Sequence, residues 1–358
     1  MKKSSRTTPV RLAIIGAGGM ANSHAKHFRA IRGCCVVAAV EPVAERRAAF
    51  CATHAIPDGF ASVDELLTSG VAFDAVAIVT PDASHAPLSI QCARAGKHVL
   101  CEKPLALNHA DARRMLAAAQ KAGVVHMVNL SYRNWPCLEA VARLVRAGGI
   151  GEVYHVEASY LQSWLTNTVW GDWHTNPGWL WRLSTKHGSK GVLGDIGVHI
   201  VDFTTYPAGP IAKVFAQLRA FPKAPRDRIG EYPLDANDSA TLSVQFANGA
   251  LGTIHTTRWS SGHVNRLFLK ISGSRGAVEI DSERDVNSFR LCAGKTLKRA
   301  EWRIGKAPAV PTIYQRFITA IRTGERAQPD FARGAEVQRV LDACFVSDTR
   351  GRPVTIRW

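Results

Sequence analysis

Short apolar runs alternate with amphipathic segments through the first third of the chain. A short apolar run is typical of a buried strand, whereas apolar residues three or four positions apart indicate a helix. The predicted strands are Arg11–Ile15, Val36–Val40, Ala75–Val79, His98–Cys101 and Val124–Val128. The predicted helices are Met20–Arg32, Val43–Thr53, Pro87–Ala95, one opened by a capping box at Ser62 and Glu65, and one from a cap at Asn108 to Lys121. This alternation predicts βαβ units and a parallel sheet.

The pattern changes near Asn129, after which longer strands dominate. The strands predicted here are Glu152–Tyr160, Ala240–Phe246, Ala250–Thr257, Leu267–Ser272 and Ala277–Asp281, and the helices are Leu138–Arg146, Thr312–Arg322 and Gly334–Asp348. Asn248-Gly249 between two of these strands predicts a tight type I′ hairpin turn. We therefore expect an α/β protein of two domains: residues 1–129 with a doubly wound parallel sheet, and residues 130–358 with a large, open, mainly antiparallel sheet.

Composition narrows the class of protein. The 358 residues are 46% hydrophobic and 21% charged, a balance typical of globular proteins of this size. Apolar runs stay well short of the roughly 20 residues that cross a bilayer, and Met1–Pro9 is too polar for a secretory leader. Eight cysteines without a Cys-x-x-Cys pair indicate reduced thiols and no zinc site. We expect a cytoplasmic protein without membrane segments or a bound metal.

The formal net charge of +16 makes nucleic-acid binding a class to consider. The basic residues are scattered, however, as at Arg113–Arg114, Arg143–Arg146 and Arg226–Arg228, and no run of five occurs. No basic stripe alternates with aromatic residues as a nucleic-acid groove requires. We expect a basic surface that favours anionic ligands and no nucleic-acid partner.

The first predicted strand runs directly into Gly16-Ala17-Gly18-Gly19-Met20-Ala21, which matches the G-x-G-x-x-A form of the dinucleotide-binding motif. Gly16 permits the tight turn, Gly18 lets the backbone approach a pyrophosphate, and Ala21 keeps the helix close to the sheet. The N-terminus of the following helix offers N–H groups and a positive dipole to phosphates. With a strand before it and a helix after it, the motif predicts a Rossmann domain.

Glu41 directly follows the second predicted strand, where an acidic side chain binds the adenosine ribose hydroxyls of a dinucleotide. A carboxylate at this position repels a 2′-phosphate, so NAD is expected in preference to NADP. Arg46 and Arg47 are the complication, because an arginine near this position can hold that phosphate. A loop glutamate without a ligand is the structural alternative.

Thr80-Pro81 and Glu102-Lys103-Pro104 each end a buried strand at its carboxyl edge, where open α/β sheets bind ligands. Lys103 is therefore placed to touch both cofactor and substrate. A positively charged nicotinamide nearby lowers the pKa of a lysine and suits it to proton transfer. In isolation, Lys103 is equally consistent with an ordinary surface lysine.

Asp195, His199 and Asp202 are spaced four and three residues apart, which places them on one face of a helix. A histidine between two carboxylates is oriented and more basic than a histidine alone. A solvated polar face is the alternative, but the glycines that lead into this helix suggest close approach of another group.

Five of the nine tryptophans fall between Tyr160 and Trp181. Aromatic side chains stack on the apolar faces of sugars, and they equally fill a core or a subunit interface. The two alternatives remain open for most of them, and Trp181-Arg182 is the preferred candidate for a ligand contact.

These residues together resemble the glucose–fructose oxidoreductase, inositol dehydrogenase and MocA (Gfo/Idh/MocA) family. The motifs that carry the resemblance, through nearly the whole chain, are Gly16–Ala21, Thr80-Pro81 with His85, Gly96–Leu105, Tyr132-Arg133, Ile150–Val153 and the helix of Asp195 and His199. In one departure, Gly188-Ser189-Lys190-Gly191 stands where many relatives have consecutive glycines. Whether Lys190 enters the pocket or only lengthens a loop stays open.

The resemblance implies a Rossmann domain, an α/β domain whose open sheet mediates homodimers or homotetramers, and a Lys103–Pro104 bond that is frequently cis. It also implies that Lys103, Asp195 and His199 meet at the nicotinamide as catalytic residues. The expected cofactor contacts are Gly16, Gly18, Gly19, Met20, Glu41, Thr80, Pro81, His85, Glu102 and Lys103. The expected substrate contacts are Lys103, Tyr132, Arg133, Trp181, Arg182, Asp195 and His199.

The favoured hypothesis is an NAD(P)-dependent dehydrogenase, with NAD preferred, that moves a hydride between nicotinamide and a secondary alcohol of a sugar, sugar derivative or cyclitol. A second hypothesis uses the same cofactor for transient oxidation, as in an NAD-dependent glycosidase, epimerase or lyase. A third is a non-catalytic NAD-binding regulator, which the presence of Lys103, Asp195 and His199 disfavours. A methyltransferase shares only the glycine-rich first loop.

Overall fold

The computed structural model describes residues 9–358, so most of the polar segment Met1–Pro9 lies outside the described residues. The chain divides into two compact units. The first contains the residues up to Ser131 and Pro311–Glu336, and the second contains Tyr132–Val310 and Val337–Trp358. The domain boundary predicted near Asn129 lies close to the first crossing, but a single boundary does not account for the return of Pro311–Glu336 to the first unit.

The strands in chain order are β1 (Val10–Ile15), β2 (Cys34–Val40), β3 (Asp58–Phe60), β4 (Ala75–Ile78), β5 (His98–Cys101), β6 (His126–Val128), β7 (Val153–Gln162), β8 (Ile211–Arg219), β9 (Arg228–Ile229), β10 (Tyr232–Pro233), β11 (Ser239–Phe246), β12 (Leu251–Thr257), β13 (Asn265–Gly273), β14 (Gly276–Asp281), β15 (Ser288–Ala293), β16 (Arg303–Lys306) and β17 (Val354–Thr355). The α-helices are α1 (Gly19–Arg29), α2 (Ala44–His54), α3 (Val63–Thr68), α4 (His85–Arg94), α5 (His109–Ala122), α6 (Pro136–Arg146), α7 (Pro177–Leu180), α8 (Val198–Ala208), α9 (Ile313–Thr323) and α10 (Phe331–Arg350).

A six-stranded parallel sheet in the order β3-β2-β1-β4-β5-β6 forms the first unit. The strand order reverses between β1 and β4, and such a switch point opens a crevice at the carboxyl ends of the strands. This confirms the predicted doubly wound parallel sheet. Within this sheet, β3 is the strand that the sequence analysis did not predict, since Asp58–Phe60 is short and lacks an apolar run.

The late helix α9 completes the core of the first unit. Tyr314 and Phe317 of α9 pack edge-on against Phe28 of α1, with ring centroids 5.1 and 6.4 Å apart. Leu12 and Ile14 of β1 belong to the same buried cluster. The apolar face of α9 therefore explains why Pro311–Glu336 lies with the first unit.

Two predicted helix caps are present in the first unit. The Asn108 side chain accepts a hydrogen bond from the Asp111 N–H at 2.9 Å, and α5 ends at Gly123 with a φ of +65°. The Ser62 hydroxyl accepts from the Glu65 N–H at 3.1 Å. The Glu65 carboxylate accepts from the Ala61 N–H rather than from that of Ser62. The return hydrogen bond of the capping box therefore goes to the residue before the N-cap.

The second unit is built on a nine-stranded sheet in the order β16-β15-β14-β13-β7-β12-β11-β8-β17. β7 and β12 pair in parallel, and the other neighbouring strands are antiparallel. One face of this sheet packs against α6 and α8. Alternate residues of β11 and β12 are exposed on the other face. The prediction of a large, open, mainly antiparallel sheet is confirmed.

β11 and β12 form the predicted hairpin, but the predicted type I′ turn is wrong. The Gly249 N–H donates to the Phe246 carbonyl at 3.0 Å, and Gly249 has a φ of +89°. Asn248 has a negative φ, whereas a type I′ turn needs a positive φ at both central residues. Its side chain instead accepts from the Ala250 N–H and donates to the Ala208 carbonyl. These contacts favour a longer connection with only the glycine in the left-handed region.

All eight cysteines are unpaired, and six of them are buried, as predicted for reduced thiols. In the described part of the chain, no helix is long and apolar enough to span a membrane.

Candidate active site

The glycine-rich loop between β1 and α1 has the geometry of a phosphate-binding turn. Gly16 has a φ of +100°, and a Cβ there would lie 2.4 Å from the Val79 carbonyl oxygen, so only glycine fits. Ala21 is completely buried in the core, which holds α1 close to the sheet. Gly18, Gly19 and Met20 are exposed, and α1 begins at Gly19 with Gly18 as an N-cap that offers no side-chain hydrogen bond. An uncapped helix N-terminus beside an open glycine backbone fits the pyrophosphate of a dinucleotide.

Glu41 lies beside this loop at the end of β2. Its Oε2 accepts from the Ala17 N–H at 3.1 Å, and its Oε1 accepts from the Val43 N–H at 3.2 Å. Arg47 donates to the Glu41 carbonyl oxygen at 2.6 Å, whereas the exposed Arg46 lies 3.8 Å from Oε1. The carboxylate is thus fixed next to the dinucleotide turn, and Arg47 is engaged by the backbone. This arrangement suits a ribose diol better than a 2′-phosphate.

His85 is completely buried behind the carboxyl ends of β4 and β5. Its Nδ1 lies 2.8 Å from the Pro104 carbonyl oxygen and its Nε2 lies 2.9 Å from that of Thr80. Two carbonyl acceptors require two N–H donors, so the ring carries both protons. Burial by itself would lower the pKa of His85, but its neighbours, Cys101 first, raise it to about 10. His85 therefore joins two loops, and its expected cofactor contact stays a prediction.

Glu102, at the end of β5, is also held inside the first unit. Its Oε1 receives a hydrogen bond from Asn129 Nδ2 at 2.6 Å and lies 2.7 Å from His24 Nε2. Its Oε2 accepts from the Lys103 N–H at 3.1 Å. Glu102 thus fixes the backbone that carries Lys103, and its expected cofactor contact stays a prediction. The Lys103–Pro104 bond is cis, as the resemblance implies.

In the second unit, the segment that carries Asp195 is a π-helical turn, Leu193–Gly197, which continues into α8. Asn237 fixes its start, because the Val192 N–H donates to the Asn237 carbonyl at 2.7 Å and the Leu193 N–H donates to Asn237 Oδ1. A Cβ at Gly191 would lie 2.4 Å from Asn237 Cγ. This confirms the expected close approach at the glycines, and π-turns of this kind are frequent at functional sites.

Asp195 is partly exposed and faces two arginines. Nη2 of the fully buried Arg258 lies 3.0 Å from Asp195 Oδ2, and Nε of Arg182 lies 3.8 Å from the same oxygen. The sequence analysis missed Arg258, because a lone arginine after a predicted strand carries no local signal. Its polar partner stands 63 positions away in the sequence.

His199 is buried at the start of α8, and its ring packs edge-on against that of Tyr132 with centroids 4.8 Å apart. The Tyr132 hydroxyl contacts that of Tyr160, which donates to Asn265 Oδ1 at 2.8 Å. Burial raises the pKa of Tyr160 well above its ordinary value. Almost every residue of α8 is buried, so the solvated polar face considered for this helix is not what the structure has.

Arg133 and Asp202 form a buried ion pair beside this cluster. Nε and Nη2 of Arg133 donate to the two oxygens of Asp202 at 2.6 and 2.7 Å. The guanidinium also lies over the ring of Tyr206, 3.3 Å from its centroid. The side chains of Arg133 and Asp202 are each about 3% exposed. Arg133 therefore anchors α8 through this pair, and its expected substrate contact stays a prediction.

The tryptophans divide between core and surface. Trp164 and Trp173 are buried in a separate apolar cluster, against which Trp170 and Trp179 pack. Trp181 remains partly exposed, with the Arg182 guanidinium 4.7 Å from its ring. The core alternative thus holds for the first four. Lys190 is exposed, with its ammonium 6.0 Å from the Phe345 ring, so it extends along the surface of the second unit.

Comparison with known proteins identifies both parts of the chain. Residues 10–130 match the family model described as "Oxidoreductase family, NAD-binding Rossmann fold", and residues 138–279 match the GFO/IDH/MocA C-terminal domain.

Named relatives extend this match. A levoglucosan dehydrogenase from Pseudarthrobacter phenanthrenivorans is 29% identical over 76% of this chain and 77% of its own length. An inositol 2-dehydrogenase from Rubrobacter xylanophilus is 28% identical over 96% of this chain and 92% of its own. The solved structure of a levoglucosan dehydrogenase with NADH and levoglucosan superimposes with a TM-score of 0.87 at 25% identity, covering 98% of this chain and 100% of that one. The chain therefore belongs to the Gfo/Idh/MocA family of oxidoreductases, and its first unit carries the NAD-binding Rossmann fold of that family.

Proposed function

We propose that the protein reversibly oxidises a secondary hydroxyl group of a sugar, sugar derivative or cyclitol with NAD⁺. The observation that carries this proposal is that Asp195 and His199 lie one helical turn apart. Asp195 pairs with Arg258, and the His199 ring packs against Tyr132. A carboxylate and an imidazole so arranged can bind one hydroxyl and remove the proton of another. The named relatives act on levoglucosan and inositol, which are compounds of this class.

In the proposed reaction, His199 accepts the proton of the reacting hydroxyl. Lys103 polarises the same oxygen and shares the proton as the carbonyl forms. Asp195 accepts a hydrogen bond from a substrate hydroxyl and fixes the orientation of the ring. When bound, NAD⁺ supplies the acceptor for the hydride that leaves the alcohol carbon, so the two electrons and the proton are both accounted for.

We assign the remaining contacts to the same reaction. The cofactor pyrophosphate lies against Gly16, Gly18, Gly19 and Met20, the ribose against Glu41, and the nicotinamide side against Thr80, Pro81 and Lys103. Tyr132, Trp181 and Arg182 contact the substrate in this proposal. Tyr132 is supported by its packing against His199, and Trp181 and Arg182 by their partial exposure.

The test is a panel of sugars and cyclitols assayed with NAD⁺ at the NADH absorbance band. K103M and H199A are expected to lower kcat by about 10²–10⁴-fold with little change in NADH affinity, because each removes a proton-transfer group. K121M and H155A replace exposed residues of the same types and serve as matched controls. Near-wild-type kcat in both site variants would refute the assignment.

The amount of NADH formed separates this function from transient oxidation. A dehydrogenase forms one NADH for each substrate consumed, whereas a glycosidase, epimerase or lyase of this type restores NAD⁺ in every cycle. Product without accumulating NADH would therefore favour the second mechanism.

We also propose that the protein is a homodimer or homotetramer. Support comes from the exposed face of the nine-stranded sheet, where Leu251 of β12 is 59% exposed. Light scattering of the purified protein tests this directly, and a monomeric mass at assay concentrations would overturn it.

A further inference from the structure

Arg258 is a buried cation that the proposed reaction does not use. It follows β12, its side chain is 0% exposed, and its guanidinium carbon lies 4.9 Å from the ring of Trp164. Placing a guanidinium in a protein interior is costly unless it is paired. Its partner is Asp195, which the proposed function places in contact with the substrate.

We propose that Arg258 is a positioning residue that keeps Asp195 ionised and holds its carboxylate in the orientation that binds the substrate. This inference rests on the proposed function, because it assigns Arg258 a role through Asp195. Arg258 is proposed to act on the reaction through that carboxylate.

The contacts indicate which partner is fixed and which is oriented. The Arg258 N–H donates to the Asp238 carbonyl at 2.9 Å, and Nη1 donates to the Arg182 carbonyl at 3.0 Å. Asp238 is itself buried and paired with Lys223 at 2.9 Å. Asp195, by contrast, lies on a π-helical turn and its side chain is 25% exposed. The buried arginine is thus the anchored member of the pair, and the carboxylate takes its orientation from it.

The charges around Asp195 come from several elements. Arg258 follows β12, and Arg182 lies in the short helical segment after α7. The charge of Asp195 contributes, after burial, to the raised pKa of Tyr160 on β7. His199 follows on the same helix. Two guanidinium groups beside one carboxylate favour its ionised form, and the nearer and more buried of them, Arg258, has the larger effect.

The experiment is the pH profile of kcat/KM for wild type, R258M, R258K and R182M. Loss of the buried charge in R258M should favour protonation of Asp195. The acidic limb that reports this protonation should move to higher pH by about 1–3 pH units, and kcat at neutral pH should fall. R258K retains the charge but cannot donate to both Asp195 and the Arg182 carbonyl as the guanidinium does. Its acidic limb should therefore stay near that of wild type while kcat falls. R182M should give a smaller shift, because Arg182 is farther away and partly exposed.

R266M is the matched control. Arg266 makes a comparable pair with Asp281 on the same sheet, with Nη2 2.8 Å from Oδ2, and its loss should leave the profile unchanged. An unchanged acidic limb in R258M, or the same shift in R258K as in R258M, would overturn the proposal. If circular dichroism shows that R258M does not fold, the R258K profile decides. The proposal predicts a lower kcat with an unshifted acidic limb, whereas a purely structural arginine predicts that kcat and the limb change together.

A double-mutant cycle separates this proposal from the function on which it rests. If Arg258 acts through Asp195, R258M added to D195N should lower kcat no further than D195N alone. Additive losses would contradict that. Wild-type activity in D195N would instead refute the proposed catalytic site, whereas an inactive D195N with a wild-type profile in R258M refutes only the role of Arg258.

Discussion

His24 Nε2 lies 2.7 Å from Glu102 Oε1, and both side chains are buried beneath the backbone of Lys103. Burial by itself would raise the pKa of Glu102. The hydrogen bond and charge of His24, with smaller contributions from Lys103 and Asn129, outweigh it and lower the pKa of Glu102 to about 2. An ionised carboxylate is therefore built into the first unit next to the lysine of the proposed reaction.

Replacing this carboxylate should destabilise the first unit in a pH-dependent way. E102Q leaves buried donors without their charged acceptor, at a cost on the order of 1–3 kcal/mol in unfolding free energy. Because the pKa of Glu102 is lower in the folded state, its contribution is present above its ordinary pKa of 4.5 and is lost as the pH falls towards about 2. Urea unfolding of both proteins between pH 3 and pH 7 measures this. A constant difference across that range would contradict it.

The doubly protonated His85 should give the opposite pH dependence. Its pKa is raised from 6.5 to about 10, so its contribution to stability is complete below pH 6.5 and is lost as the pH rises towards 10. H85Q cannot donate to both the Thr80 and Pro104 carbonyls from the same positions. Its unfolding free energy should differ most from wild type near pH 6 and least near pH 10, as measured by urea titration. K121M should show no such trend, and a gap that widens at high pH would exclude the bridging imidazolium.

Two glycines of the first loop should respond differently to alanine. G16A forces a Cβ against the Val79 carbonyl and strains a residue with positive φ, so it should cost about 1–3 kcal/mol of stability as well as NADH affinity. G18A meets nothing within 4 Å and should leave stability unchanged while it weakens NADH binding, because the methyl group occupies the proposed pyrophosphate site. Fluorescence titration with NADH and thermal unfolding distinguish the two. Wild-type NADH affinity in G18A would place the phosphates elsewhere.

Glu41 should set the choice between the two nicotinamide dinucleotides. E41S removes the charge that repels a 2′-phosphate and leaves the nearby Arg46 available to it. We expect the ratio of kcat/KM for NADP⁺ to that for NAD⁺ to rise about tenfold or more, which corresponds to roughly 1.4 kcal/mol. E45S, on the same turn but exposed, is the control. An unchanged ratio would show that the specificity for NAD lies outside this carboxylate.

Local patterns were sufficient to predict much of this protein. The strand, the glycine loop and the following helix are contiguous, so Gly16, Ala21 and Glu41 could be placed from the sequence alone. The caps at Ser62 and Asn108 are local for the same reason. These predictions succeed because each rests on a local sequence pattern, although the Glu41 carboxylate then contacts Ala17 across 24 positions.

The structural context of the candidate site could not be predicted in this way. Arg258 contacts Asp195 across 63 positions, and Asn129 contacts Glu102 and Tyr314 across 27 and 185. No periodicity links such residues, because the fold alone brings them together. Arg133 was singled out by the resemblance as a ligand contact, and its buried pair with Asp202, 69 positions away, could not be predicted from the sequence.

The return of Pro311–Glu336 to the first unit has a consequence for biosynthesis. When the ribosome has made the first 310 residues, Phe28 and Leu12 still lack the apolar face of α9 that covers them. The dinucleotide-binding part of the chain therefore cannot reach its final packing until Pro311–Glu336 has been made. We expect nascent chains halted before this segment to depend on chaperones that shield exposed apolar surface.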